Sequence, residues 1–129
     1  MTIKTLIGYD LEPGMTVEEY ERWLREVHIP DILANPHVER LVFNTVIRPI
    51  TRSSGGAASI EGGLTFYRVA EMHFRDMAAY EAYVAWFDEH PLAPERGPAG
   101  RTAFRFYLLA DSFEARRGSD EGIEASRRG

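Results

Sequence analysis

Residues 23–36, WLREVHIPDILANP, set a histidine and an aspartate on either side of a proline. An imidazole is the one side chain whose ordinary pKa lets it take or give a proton near neutral pH. Asp31, three residues on, is close enough in sequence to orient His28 or to favour its charged form. Pro30 cannot donate to the carbonyl of Glu26 and disfavours a helical Ile29, so the spacing predicts that a helix ends near Val27–Ile29. His28 then sits at a helix C-terminus, which favours imidazolium by about 0.3–1 kcal/mol, while an apolar pocket would push the other way. The plain structural alternatives are that His28 caps the last carbonyls and that Asp31 caps a short turn, PDIL, after Pro30.

The remaining histidines are weaker candidates. His37 lies in a turn and is expected at the surface, and His90 in DEHP is expected to end a helix. By alternation the third strand sets Leu64, Phe66, Ala70, Met72 and Phe74 against Tyr67 and Val69, and His73, on the side of Tyr67 and Val69, could line a pocket or an interface. The four histidines lack regular i,i+3 or i,i+4 pairing, so no metal site is expected. With no cysteine, thiolate ligands, disulfides and a cysteine nucleophile are excluded. Phosphate loops, nucleophile elbows and paired-carboxylate motifs are absent from the sequence. Glu71 is a second acid–base candidate only if it points inward, and an ion pair is the preferred reading. The aromatic side chains Tyr9, Tyr20, Trp23, Phe43, Tyr67 and Tyr80 fall on inward-facing positions. A buried tyrosine hydroxyl wants a partner, so these residues and His73 are the candidates to contact a ligand.

Elements to position these groups follow from the hydropathy pattern. TIKTLIGYDL (2–11) alternates as a strand. Thr16 and Glu19 have capping-box spacing ahead of a helix whose inner stripe is Val17, Tyr20, Trp23, Leu24 and Val27, with Glu18, Glu21, Arg22 and Arg25 facing away. VERLVFNTVIRPI (38–50) reads as a second strand, TRSSGGAASIEGG (51–63) as a loop, and LTFYRVAEMHF (64–74) as a third strand. Asp76 caps a second helix over 77–90 with Met77, Tyr80, Val84 and Phe87 inward. PLAPERGPAGR is a long Pro/Gly connection, and TAFRFYLLADSF (102–113) is the last strand. The order β-α-β-β-α-β predicts an α+β, ferredoxin-like domain over 1–113: a four-stranded antiparallel sheet with two helices on one face. Residues 114–129 are polar and expected to be a disordered tail. Apolar residues on both sides of the strands predict a homodimer that covers the second face.

Net charge is −5, from 15 basic and 20 acidic residues, and the basic residues are scattered, which argues against a nucleic-acid partner. No run is apolar enough for a membrane span or signal peptide, so a cytoplasmic protein without a membrane partner is expected.

Three stretches carry a resemblance to a known family. LEPGMTVEEYERWLREVHIPDIL, YRVAEMHFRDMAAYEAYV and AFRFYLLADSF resemble the EthD-like group of the dimeric α+β barrel superfamily, whose RedY/HapK-like branch shares the architecture. The resemblance implies a barrel made from two back-to-back sheets, with a pocket between each sheet and its own helices for a small hydrophobic molecule. It also implies chemistry without metal or organic cofactor. A cyclase or isomerase acting on an aromatic or polyketide-like intermediate, with His28 as proton-transfer group and Asp31 or a tyrosine assisting, is the leading expectation. A cofactor-free monooxygenase, a non-catalytic small-molecule carrier and a haem protein ligated through His28 or His73 are the alternatives. Fold alone does not choose among them.

Overall fold

The computed structural model describes residues 2–49 and 66–118. The 51–63 loop, part of the third-strand stretch and most of the predicted tail lie outside the described residues. The elements run β1 (Thr2–Leu11), α1 (Val17–Trp23), a π-helical turn (Leu24–His28), α2 (Ile29–Leu33), β2 (Arg40–Thr45), β3 (Arg68–Phe74), α3 (Met77–Glu89), a short 3₁₀ turn (Pro94–Arg96) and β4 (Thr102–Ser112). The sheet is antiparallel throughout with order β2-β3-β1-β4, the ferredoxin-like arrangement.

Strand alternation sorts the side chains. Ile3, Thr5, Ile7 and Tyr9 of β1 pair with Phe74, Met72, Ala70 and Arg68 of β3, and all eight are buried under the helices. Tyr20, Trp23 and Leu24 from the first helical segment and Tyr83 from α3 complete this core. Thr16 accepts from the Glu19 amide at 3.1 Å and Asp76 from the Ala79 amide at 2.8 Å, so both helices start where capping residues occur. On α3 the inward stripe is Tyr80, Tyr83 and Phe87. Met77 and Val84, expected inward, are exposed. β2 is shorter than expected, because pairing with β3 stops at Thr45–Arg68.

Pro30 does not stop the helix. Without an N–H on Pro30, and with its ring crowding the carbonyl of residue 26, the preceding turn widens: the Ile29 amide bonds back to the Leu24 carbonyl, five residues away. The chain then continues helically to Leu33, with Pro30 in the first turn of α2, where a missing donor costs little. His28 is thus inside a helical run with αR backbone, not at a C-terminus, so terminal carbonyls do not favour its charged form.

A second irregularity sits in β4. The β1–β4 register shifts between Gly8 and Tyr9, leaving Arg105 as the extra residue, its guanidinium 2.8 Å from Asp10. Beside it, Gly8 lies under the Phe106 ring. A Cβ there would run into the ring, so any other residue would have to displace Phe106.

Candidate functional site

Under the helices, a cavity of about 50 Å³ lies between the centre of the sheet and the widened turn. That is room for a few waters or one edge of a small ring, the rest of which would extend past its partly exposed walls, Ile32, Leu41 and the half-exposed Phe104. Its deeper walls are Ile7, Leu24, Ala70 and Met72. The polar residues that also line it are Tyr9, Tyr20, His28, Thr102 and Glu71, the last with its carboxylate turned to Lys4 and His73 on the opposite face.

The π turn places His28 here, following Trp23 and Leu24, which the helix buries. Its imidazole stacks on the Trp23 indole, 4.5 Å between centroids and 18° from parallel. Nδ1 is buried and has no hydrogen-bond partner among the described residues. Burial pushes the His28 pKa down to about 4; the Asp31 charge opposes this and Arg101 adds to it. His28 is therefore neutral at pH 7, which fixes the sign that the sequence left open.

Asp31 does not reach His28 through a hydrogen bond. Its carboxylate is clamped by Arg96, Nε at 2.9 Å and Nη2 at 3.0 Å, and this pairing holds it below the usual carboxylate range. The same arginine offers its carbonyl to Trp23 Nε1 at 3.0 Å, and the Arg101 guanidinium lies over the Trp23 ring at 5.2 Å. The Pro/Gly connection is thus stitched to the helix that carries His28. Asp31 serves that stitching.

The remaining candidates divide. Tyr9, Tyr20 and Phe43 line the cavity. Trp23 supports it through His28. Tyr80 packs edge-on against Phe74, away from the cavity lining. Tyr67 is turned helixward by a bend just before β3, which breaks the expected alternation, and its hydroxyl donates to Glu21 at 3.0 Å. The same bend puts Phe66 edge-on against Phe106 rather than beside Ala70. His73 is not in the pocket: on the opposite face of the sheet, its Nε2 lies 2.9 Å from Glu71, which also binds Lys4 and Asn44. Glu71 is an ion-pair residue, as preferred from its sequence position. His90 stacks on Trp86 and bonds its carbonyl at the end of α3.

Two residues that sequence reading missed dominate the electrostatics. Arg68, only 4% exposed, is held by Glu21 at 2.9 and 3.2 Å, by Thr45 at 2.9 and 3.1 Å, and reaches the Tyr9 hydroxyl at 3.4 Å. Burial works against both charges. The pairing outweighs it, raising the Arg68 pKa and lowering that of Glu21. Glu21, expected to face solvent, instead ties α1 to β3. The available signal was Arg68 itself, a charge in phase with Ala70, Met72 and Phe74. Thr102 was also missed; its hydroxyl is 3.1 Å from that of Tyr20, whose own ionisation burial suppresses.

Among the described residues no group of three potential metal ligands occurs. A haem does not fit the site either: the cavity is far smaller than the macrocycle, and the Nε2 of His73 is engaged by Glu71.

Sheet order, helix placement and the pocket beneath the helices define a ferredoxin-like α+β protein. The chain belongs to the EthD-domain family, whose model matches residues 12–92, a span that includes His28 and the widened turn. It is similar in fold to HapK from Hahella chejuensis (13% identity, 91% of this chain and 98% of that one, TM-score 0.57). An EthD-like protein from Ralstonia eutropha gives 12% identity, 92% and 97% coverage and a TM-score of 0.58. A dimeric protein of ferredoxin-like fold from Bacteroides fragilis gives 12% identity, 86% and 96% coverage and a TM-score of 0.50. No curated protein matches the chain. No helix among the described residues is long and apolar enough to cross a membrane.

Proposed function

We propose that the protein is a homodimeric, cofactor-independent enzyme of the cyclase or isomerase type, which moves a proton on a small hydrophobic molecule. The observation that carries this reading is His28: a neutral imidazole on the wall of an apolar cavity, with a buried ring nitrogen that no described residue satisfies. A neutral imidazole at pH 7 is a base. Its depressed pKa makes it a mild one, suited to an acidic C–H such as the carbon between two carbonyls of an aromatic or polyketide-like chain. His28 takes that proton and returns it at another position, while the cavity orients the ring and keeps water away. Asp31 acts at one remove, by anchoring the Arg96 loop.

Dimerisation rests on β4, an edge strand with exposed apolar side chains on both faces. Leu108 on the face away from the helices is 54% exposed, and Phe104, Tyr107 and Leu109 of β4 are about half exposed on the other. A second copy of the chain is the occupant this reading assigns to that surface.

The test is hydrogen–deuterium exchange at the activated carbon of aromatic 1,3-dicarbonyl compounds in D₂O, followed by NMR. Wild-type protein should accelerate exchange, and His28→Gln, folded and dimeric, should lose about 100-fold or more of that acceleration. Equal exchange in the variant removes His28 from the mechanism. Oxygen uptake during turnover would identify a monooxygenase instead, and compounds recovered unexchanged would identify a carrier.

A further inference from the structure

The polar groups of the pocket carry more information than the presence of a base. We infer that the pocket selects an uncharged aromatic ligand, recognised through an acceptor oxygen of the carbonyl type set on the Tyr9 hydroxyl, with Arg68 as the positioning residue behind that hydroxyl. The inference rests on the pocket reading above and adds the charge and polarity of what enters it.

A phenol has one proton to give and lone pairs to accept with. The Tyr9 hydroxyl accepts from Arg68 Nη1, because a guanidinium can only donate. Tyr9 is buried, and its own proton makes no bond of 3.5 Å or shorter among the described residues; the Tyr20 hydroxyl adjoins it but is paired with Thr102. Tyr20 and Thr102, by contrast, satisfy each other at 3.1 Å. Tyr9 is therefore a donor waiting for an acceptor, fixed and polarised from behind by a buried cation.

The cation nearest this donor is already neutralised. Glu21 grips Arg68 through both carboxylate oxygens, and Thr45 takes two of its remaining N–H groups. The other polar lining groups described are hydroxyls and the His28 imidazole, and the carboxylate of Glu71 is drawn to Lys4, Asn44 and His73 on the opposite face. A ligand carboxylate would lose its hydration and find no free cation among these groups, whereas a ketone oxygen needs only the Tyr9 proton. A site with paired charge and a spare neutral donor discriminates by charge at equal shape.

The probes are acetophenone and benzoate, one ring each and nearly the same outline, titrated into the wild-type protein by NMR at pH 7. Acetophenone should bind at least 10-fold more tightly. Tyr9→Phe should cut its affinity about 3- to 10-fold, the worth of one neutral hydrogen bond, and leave benzoate unchanged. Arg68→Lys, which keeps the charge but not the fork, should fall between wild type and Tyr9→Phe for acetophenone. Benzoate binding as tightly as acetophenone, or an unaltered acetophenone affinity in Tyr9→Phe, overturns the inference while leaving the pocket in place. Binding of neither probe overturns the pocket reading and the inference with it. The wild-type comparison stands even if an Arg68 variant fails to fold.

Discussion

Arg68 and His28 are both polar side chains set against the same core, and they are treated in opposite ways. Arg68 keeps its full charge in the interior because Glu21, Thr45 and Tyr9 meet it from three elements. His28 is left with a buried Nδ1 that nothing described satisfies, and it avoids the penalty of charge by staying neutral. A buried group with all its partners fixes structure, in this case the angle of α1 on β3. One with a missing partner is unfinished until something else arrives. That contrast fits Arg68 as scaffold and supports the proposal that His28 is the reacting group.

Breaking the satisfied side should have the largest effect on stability. Arg68→Met strands the Glu21 carboxylate, which is partly exposed, so the loss expected is about 3 kcal/mol, the lower end for a broken buried pair. Urea unfolding would measure it, and adding Glu21→Leu to Arg68→Met should recover part of the loss. Equal stability of wild type and Arg68→Met would erase the distinction between the two sites.

The unfinished side should show itself through pH. The His28 pKa falls from 6.5 to about 4 on folding, so between those values the unfolded chain binds the extra proton and stability rises with pH. The neutral-state advantage is complete above 6.5, declines as pH falls toward 4, and amounts to at most about 3 kcal/mol. Between pH 7 and 4.5, wild-type protein should therefore lose more stability than His28→Gln, the other carboxylates being common to both.

Asp31→Asn should have the smallest effect. It weakens an exposed clamp, so global stability should barely move, while amide exchange across residues 91–101 should quicken as Arg96 and its loop loosen from Trp23 and residue 31. Unchanged exchange there would show that the clamp does not hold the loop.

How far the sequence showed this contrast depends on what each residue must obey. β1, the two caps and the β-α-β-β-α-β order follow local rules of alternation and capping, and they were readable. Pro30 was readable as a break but not as a widened turn, since a helix can answer a missing N–H either by stopping or by bonding one residue further back. Glu21 was assigned to solvent because helical spacing counts charges as outward. Only the long-range pairing with a strand residue 47 positions away reverses that. The bend at Tyr67 likewise moved one aromatic across the sheet, and His73 with Glu71 belongs to the far face by register. His28 was visible by type and setting. Its neutrality was not, because burial is a tertiary property.

The most direct measurement is an NMR titration of the His28 imidazole in the folded protein, assigned by comparison with His28→Gln. A midpoint near pH 4, with the ring neutral throughout the physiological range, is what a buried, partnerless base requires. A midpoint at 6.5 or above would mean that the imidazole is solvated or paired, and that His28 is not the unfinished group on which the proposed function depends.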